Sequence, residues 1–356
     1  MTTAEKNYQI YNATYDINSV LNKVKNQLYN YSKSIAEEYS KKNRHYHNLL
    51  HLAEMFEYVK DYKRNFTEEE NLAINLAIIF HDIVYDTKSK TNEEDSFEMF
   101  RKYAENTDYC IISTKVISMV KEMIMATKEH NYNENLSEYV KIFIKADLQR
   151  LTVPFEQFWN YTLALMKEYA FVDWSDFKAG RLKFFEQYGP KVTFMGPDAT
   201  NNINLAYHTL KVWEPKIAIY AGSFDDWHIG HQRILDKAEQ IFDKVIIARG
   251  QNPKKPPHAN KLPQSLIDNY QVEEYKGWIT NFIKSKKYPV TLIRGLRNGS
   301  DLNGEINFSR YLQDIMSNIQ IVSIFTDRDV EHLSSSGIKD LISSAEKNDI
   351  IPSYGI

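Results

Sequence analysis

Up to about residue 213 the apolar positions recur at helical spacing and glycine is scarce. In NSVLNKVKNQLYNYSKSIAEEY, Val20, Leu21, Val24 and Leu28 share one helical face. The stretch ENLAINLAIIFHDIVY is apolar nearly all round, which predicts a buried helix carrying His81-Asp82. Thr91 followed by Glu94 reads as a capping box opening TNEEDSFEMFRKYAE. ISTKVISMVKEMIMATKEH, VPFEQFWNYTLALMKEYA, DWSDFKAGRLKFFEQY and ATNNINLAYHTLKVW continue the series, and two Gly-Pro pairs at 189–190 and 196–197 mark a loop. Residues 1–213 are therefore expected to form an all-α domain. After Pro215 the texture changes. KIAIYAGSF, KVIIARG, YPVTLIRG and IQIVSIFTD are short β-branched runs that predict four buried strands. Between and after them, HQRILDKAEQIFD, SLIDNYQVEEYKGWITNFIKSK, FSRYLQDIMSN and SSSGIKDLISSAEKN read as helices. That alternation predicts parallel βαβ units over residues 214–356, with ligands at the carboxyl ends of the strands.

A chain of 356 residues accommodates these two domains without staples. The balance of 44 basic and 47 acidic side chains argues against coating nucleic acid. One cysteine, Cys110, excludes an internal disulfide framework and an all-cysteine zinc site, and fits a reducing compartment. No run approaches 18 apolar residues, and the N-terminus has no basic flank before an apolar stretch. A cytoplasmic protein without a membrane span is expected.

Two constellations carry chemistry. In the helical half, His47 and His51 lie four apart, expected on one helical face, and His81-Asp82 and Asp147 both follow apolar runs. An ionised carboxylate inside a helical bundle is expensive unless paired or bound to metal. His and Asp from several helices can converge as a divalent transition-metal site. The order His…His-Asp…Asp, with RHYHNLLH, IIFHDIVYD, TNEEDS, KADL and EYAFVDWSDFKAGRL, resembles the HD superfamily of metal-dependent phosphohydrolases across most of residues 1–213. That resemblance implies an HD-type helical bundle in which His47, His81, Asp82 and Asp147 ligate the metal, with Asp82 central to catalysis. It implies metal-assisted phosphoester hydrolysis. His51, Asp86, Glu93 and His130 are candidates for supporting contacts, phosphate binding or proton transfer. Tyr85-Asp86 stands where alarmone hydrolases of this type carry Glu-Asp, which argues against that substrate.

In the second half, AIYAGSFDDWHIGHQRIL joins a strand to a helix through a glycine turn. Gly222 permits close approach of the backbone, Ser223 can donate to a phosphate, and Gly230-His231 open the helix, whose N-terminus favours anions. His228 and His231, three apart, can face the same anion. IRGLRNGSDLNGE then supplies Arg294 and Arg297, whose guanidinium groups suit phosphate, and LSSSGIKDL places three serines at a helix start. NPKKP supplies Lys254 and Lys255. Together these resemble the HxGH nucleotidyltransferase superfamily, most closely the phosphopantetheine adenylyltransferase family, across residues 216–356. The resemblance implies a Rossmann-like parallel sheet and a homo-oligomer. It implies transfer of AMP from ATP, with Mg²⁺ on the phosphates, to a small phosphate-bearing acceptor. Ser223 and Lys255, with Arg294 alongside, would hold the acceptor phosphate, Lys254 being the alternative lysine. His231 would stabilise the transferring phosphate, assisted by His228. Gly222, Phe224, Arg297, Glu305 and Ser334, Ser335 and Ser336 would bind nucleotide and substrate. Asp226 stands where that family has proline, and LNGE replaces an aromatic-bearing FEYE.

The expectation is a bifunctional enzyme: a metal-dependent phosphohydrolase domain at 1–213 and an adenylyltransferase domain at 214–356, acting on phosphopantetheine to give dephospho-CoA. Two alternatives stay open at this point. The acceptor could be nicotinamide mononucleotide, or the second domain could sense a nucleotide and regulate the first.

Overall fold

The computed structural model describes residues 29–105, 112–251 and 261–330. The first helix run expected before residue 29, Cys110, Lys254, Lys255, Ser334, Ser335, Ser336 and the last expected helix lie outside the described residues. The described chain divides into two compact units. One comprises the residues up to Glu168 with Arg181–Lys211, and the other Tyr169–Gly180 with the residues from Val212 on.

The first unit is helical. Its elements are α1 (Tyr29–Tyr39), α2 (Leu49–Lys60), α3 (Glu68–Phe80), α4 (Asn92–Glu105), α5 (Thr114–Ala126), α6 (Glu138–Leu148), α7 (Phe155–Glu168), α8 (Trp174–Tyr188) and α9 (Pro197–Val212). The division between units falls within α8 and at the end of α9. Helix α3 starts at a capping box, in which Thr67 and Glu70 satisfy each other's backbone N–H. Its Ala73, Ile74, Leu76, Ala77, Ile78, Ile79 and Phe80 are buried, consistent with a helix that is apolar nearly all round beyond its acidic first turn. The capping box expected at Thr91 and Glu94 is not formed. Thr91 donates its hydroxyl to Asp95 at 2.8 Å, and Glu94 pairs with Lys128 at 2.5 Å. His81-Asp82 also departs from expectation: α3 ends at Phe80, His81 is its C-cap, and Asp82 lies in the turn beyond.

The second unit contains β1 (Ile217–Gly222), α10 (Ile229–Ala238), β2 (Lys244–Gln251), α11 (Gln264–Asn269), β3 (Gln271–Lys276), α12 (Ile279–Ser285), β4 (Thr291–Leu296), α13 (Gly299–Ile315) and β5 (Gln320–Phe325). All described pairings are parallel, in the order β3-β2-β1-β4-β5. Strand β3 corrects the sequence reading, which ran one helix through QVEEYK. Val272 and Tyr275 are half-buried, whereas Glu274 and Lys276 are exposed, and pairing with β2 makes the segment an outer strand. The connections run outward from β1 to β3 and then cross to β4 on the other side of β1, so the carboxyl ends of β1 and β4 form the switch point where such sheets bind ligands.

This unit also takes Tyr169–Gly180, which the sequence placed with the helices. The Lys244 ammonium is buried and donates to the carbonyls of Ala170 and Val172, the latter at 2.8 Å. Asp173 accepts from Tyr288 at 2.6 Å and Gln271 at 3.0 Å. No helix among the described residues is long and apolar enough to cross a membrane.

Candidate functional site

In the helical unit, Asn48 caps α2 by accepting from the N–H groups of Leu50 and His51, which sets His51 in the first helical turn. His47 precedes the helix, so the two histidines do not share a helical face as expected. His51 is buried, with Nε2 2.9 Å from Asp147 Oδ1. His130 Nε2 lies 2.6 Å from Asp147 Oδ2. His130 has φ of 49°, a left-handed conformation that a non-glycine residue keeps only where its surroundings hold it. His81 donates Nδ1–H to the carbonyl of Ile78 at 3.0 Å, which leaves Nε2 as the lone-pair nitrogen. That Nε2 is 3.0 Å from Asp82 Oδ2 and 3.7 Å from Asp147 Oδ1. Ligand atoms of His51, His81 and Asp147 all lie within 4.8 Å of one another.

This arrangement could hold a cation. A lone-pair nitrogen and two carboxylates converge in a largely buried space, and His81 Nε2 and His51 Nδ1 are buried without a hydrogen-bond partner. Without an ion, a proton on His81 answers the need. Burial alone would lower its pKa, but Asp82 and Asp147 outweigh burial and hold it up at about 9. Burial pushes His51 down, aided by Arg150. The Asp147 carboxyl stays well below the ordinary range because His130 and His51 donate to it and His81 adds charge, against the opposing effect of burial. The donor set is nitrogen and carboxylate oxygen, which suits a divalent transition metal.

His47 stands beside this cluster, its ring 6.3 Å from that of His51. Glu168, which the sequence reading missed, holds it: Oε2 lies 2.7 Å from His47 Nδ1, and Oε1 accepts from the His47 and Tyr46 N–H groups. A carboxylate on one ring nitrogen orients a histidine and leaves Nε2 as the ligand atom. Arg44, also missed, donates to the carbonyls of Asp82 at 2.6 Å and Ile83 at 2.8 Å, bracing the turn that carries Asp82. Asp86 is exposed and closes a local turn by accepting from the Lys88 N–H, and Glu93 sits in the first turn of α4. The structure brings neither into the cluster.

In the sheet-bearing unit, β1 ends at Gly222 and the chain turns through Ser223 to His228 before α10. A side chain at Gly222 would meet the Phe224 ring at 2.7 Å, so the turn requires glycine there. Phe224 is buried with φ of 46°. His228 is the N-cap of α10: its Nδ1 accepts from the Gly230 N–H at 3.1 Å, and its own N–H points to His231 Nδ1 at 3.4 Å. Both histidines therefore carry the ring proton on Nε2. Their rings stack at 3.8 Å, and Phe224 and Trp227 pack on His231 at 5.2 and 5.3 Å. Burial, then Arg297, lowers the His228 pKa to about 4; burial, then His228, lowers that of His231 to about 3. The pair is neutral at physiological pH and offers N–H donors rather than charge. Ser223 is exposed at the same turn.

Arg294, at the carboxyl end of β4, forms a two-pronged ion pair with Glu305 at 2.6 and 2.8 Å, and donates to the Ala221 carbonyl at 3.1 Å. Arg297 is held by Asp301 through its backbone N–H, Nε and Nη2 at 3.0, 2.8 and 2.9 Å. Gly295, Arg297, Asp301, Gly304 and Glu305 line a cavity of about 390 Å³, and nothing lies within 4 Å of where a Gly304 side chain would begin. Arg249, a third residue the sequence reading missed, is buried and donates to the carbonyls of Ser223 and Phe224, both at 3.3 Å. The signal was present: a charged residue inside the apolar run KVIIARG.

Residues 219–341 match the Cytidylyltransferase-like family profile. The chain is 30% identical over 134 residues to the phosphopantetheine adenylyltransferase of Carboxydothermus hydrogenoformans, covering 35% of this chain and 82% of that protein. It is 33% identical over 135 residues to the enzyme of the same name from Clostridium novyi, covering 36% of this chain and 83% of that protein. Against that of Geobacter sulfurreducens the identity is 33% over 136 residues, 36% of this chain and 82% of the relative.

Proposed function

Because the chain belongs, through its sheet-bearing part, to the phosphopantetheine adenylyltransferase family and carries a nucleotidyltransferase domain, we propose that it transfers AMP from ATP to phosphopantetheine, and that its helical unit is a metal-dependent phosphohydrolase. The observation that carries the first half is the turn at Gly222–His231, where an exposed serine, a helix N-terminus and two neutral imidazoles meet at the switch point of a parallel sheet.

In this reading the acceptor phosphate oxygen attacks the α-phosphorus of Mg²⁺-bound ATP, and pyrophosphate leaves. No covalent enzyme intermediate is needed; catalysis is positioning and stabilisation of charge on the α-phosphate. His231 donates Nε2–H to that phosphate, and His228 fixes its orientation through the cap. Ser223 and Arg294 hold the acceptor phosphate together with Lys255, or Lys254. Arg297 and Glu305 serve the nucleotide side with Ser334, Ser335 and Ser336. Arg294 and Arg297 each lie against a carboxylate, so both are pre-oriented before anions arrive. The open space beside Gly304 lies among Arg297 and Glu305, on the nucleotide side, where an aromatic residue would fill it.

In the helical unit, His51, His81, Asp82 and Asp147 would hold the metal, with His47 contributing Nε2 under the hold of Glu168. The bound metal supplies Lewis acidity and a coordinated water of lowered pKa. His130 holds Asp147, and Arg44 holds the Asp82 turn.

Mass spectrometry of the full chain with ATP, Mg²⁺ and a panel of phosphate-bearing acceptors tests the transferase reading. His231→Ala is expected to abolish transfer and spare metal-dependent hydrolysis of a simple phosphomonoester. The double variant His81→Ala/Asp82→Ala is expected to do the reverse. Absence of both AMP transfer and pyrophosphate release with every acceptor would overturn it.

A further inference from the structure

Strand β2 presents Val245 and Ile247 to one face of the sheet, and at period two the next residue on that face is Arg249. It is 6% exposed. A guanidinium buried there needs acceptors, and two of them are the carbonyls of Ser223 and Phe224. Both belong to the turn that carries the anion-binding groups. That turn is sterically demanding: Phe224 is left-handed, and the Gly222 Cα lies too close to its ring for any side chain. Arg249 is also the register partner of Gly222 across the β1–β2 pairing, so the guanidinium reaches the turn from the adjacent strand end. A left-handed aromatic residue persists where neighbours over-determine it, and two charge-assisted donors on consecutive carbonyls do so.

We infer that Arg249 is a positioning residue of the transferase site: by tying down the Ser223 and Phe224 carbonyls, it holds the Gly222–Phe224 turn so that Ser223 meets the acceptor phosphate while His231 meets the transferring α-phosphate. The inference rests on the adenylyl-transfer reading above. Lysine at this position keeps the charge but cannot span two carbonyls with a planar fork.

The test uses the full chain with Arg249→Lys, Arg249→Met and Arg249→Ala. Misplacing the turn is expected to lower kcat/KM for the phosphate-bearing acceptor about 100-fold in the Met and Ala variants. The Lys variant should be intermediate and should melt within a few degrees of the parent. Methylguanidinium added to Arg249→Ala should restore about tenfold of the lost activity and leave the parent unchanged, a response that a general loss of stability would not give. Activity of Arg249→Met within twofold of the parent, or a loss in Arg249→Ala that methylguanidinium does not repair, overturns the inference. Should the Met and Ala variants fail to fold, unchanged activity in Arg249→Lys overturns it and a reduced kcat/KM sustains it. If the parent itself transfers no AMP, that reading fails separately. ATP affinity by calorimetry then decides: weakened binding in Arg249→Lys at unchanged melting temperature supports the positioning role, and equal binding refutes it.

Discussion

His231 gives a prediction that can be worked through from its surroundings. The ring packs on Phe224, Trp227 and His228, and its pKa lies at about 3, lowered first by burial and then by the neighbouring His228 and Arg297. In the unfolded chain the value is about 6.5. Between these two values only the unfolded chain takes up the proton. The stabilisation is therefore complete above about pH 6.5 and is lost as pH falls toward 3. From pH 7 to pH 5 the loss from this one group is about 2 kcal/mol, set by the unfolded pKa because the folded value lies far below both conditions. His228, at about 4, acts in the same direction and adds a loss of similar size, which is present in both proteins and cancels in the comparison. His231→Gln removes the titration while keeping a residue suited to the third helical position of a capping box. Urea unfolding of the full chain, followed by tryptophan emission at pH 7 and pH 5, measures the effect, with Trp227 5.3 Å from the ring as the local reporter. The parent should lose about 2 kcal/mol more than His231→Gln across that interval. Equal losses, or an NMR titration of His231 with a midpoint near 6.5, would refute the claim that this imidazole is held neutral.

Other outcomes follow from the same geometry. Arg294→Met removes both prongs of the Glu305 pair and leaves that carboxylate facing the cavity alone, so acceptor KM should rise at least tenfold and stability should fall by about 1–3 kcal/mol, read by steady-state kinetics and denaturant melts. Glu168→Gln weakens the hold on His47 Nδ1, and metal affinity of the helical unit, measured by calorimetry with Mn²⁺, should drop about 10- to 100-fold while adenylyl transfer is unchanged. Lys244→Met releases the carbonyls of Ala170 and Val172, so limited proteolysis should cut within residues 169–180 at protease levels that leave the parent whole.

Much of this was legible before any coordinates, and the gaps have physical reasons. The apolar ring around α3 and the alternation after Pro215 specify buried helix and parallel sheet because each pattern suits one element type. Gly222, His228 and His231 were readable because a glycine turn, a helix start and two histidines occur within ten residues. Strand β3 was not: QVEEYK is polar and flanked by helical sequence, and only its pairing with β2 makes it extended. Glu168 stands 121 residues from His47, and although RHYHNLLH and EYAFVDWSDFKAGRL contain the two residues, neither segment points to the other as its partner. The difference between His47 and His51 turned on Asn48, whose side chain caps a helix that starts at Leu49, two residues beyond His47. Tyr169–Gly180 followed the helical series in pattern, yet its carbonyls and Asp173 are held by Lys244, Gln271 and Tyr288.

The most direct measurement of the central claim is ³¹P NMR of the full chain with Mg²⁺-ATP and phosphopantetheine, with nicotinamide mononucleotide in a parallel tube. The account predicts pyrophosphate and a new diphosphate-linked product with phosphopantetheine alone, both absent in His231→Ala. Turnover of nicotinamide mononucleotide with none of phosphopantetheine, or nucleotide binding without pyrophosphate release in either tube, would contradict it.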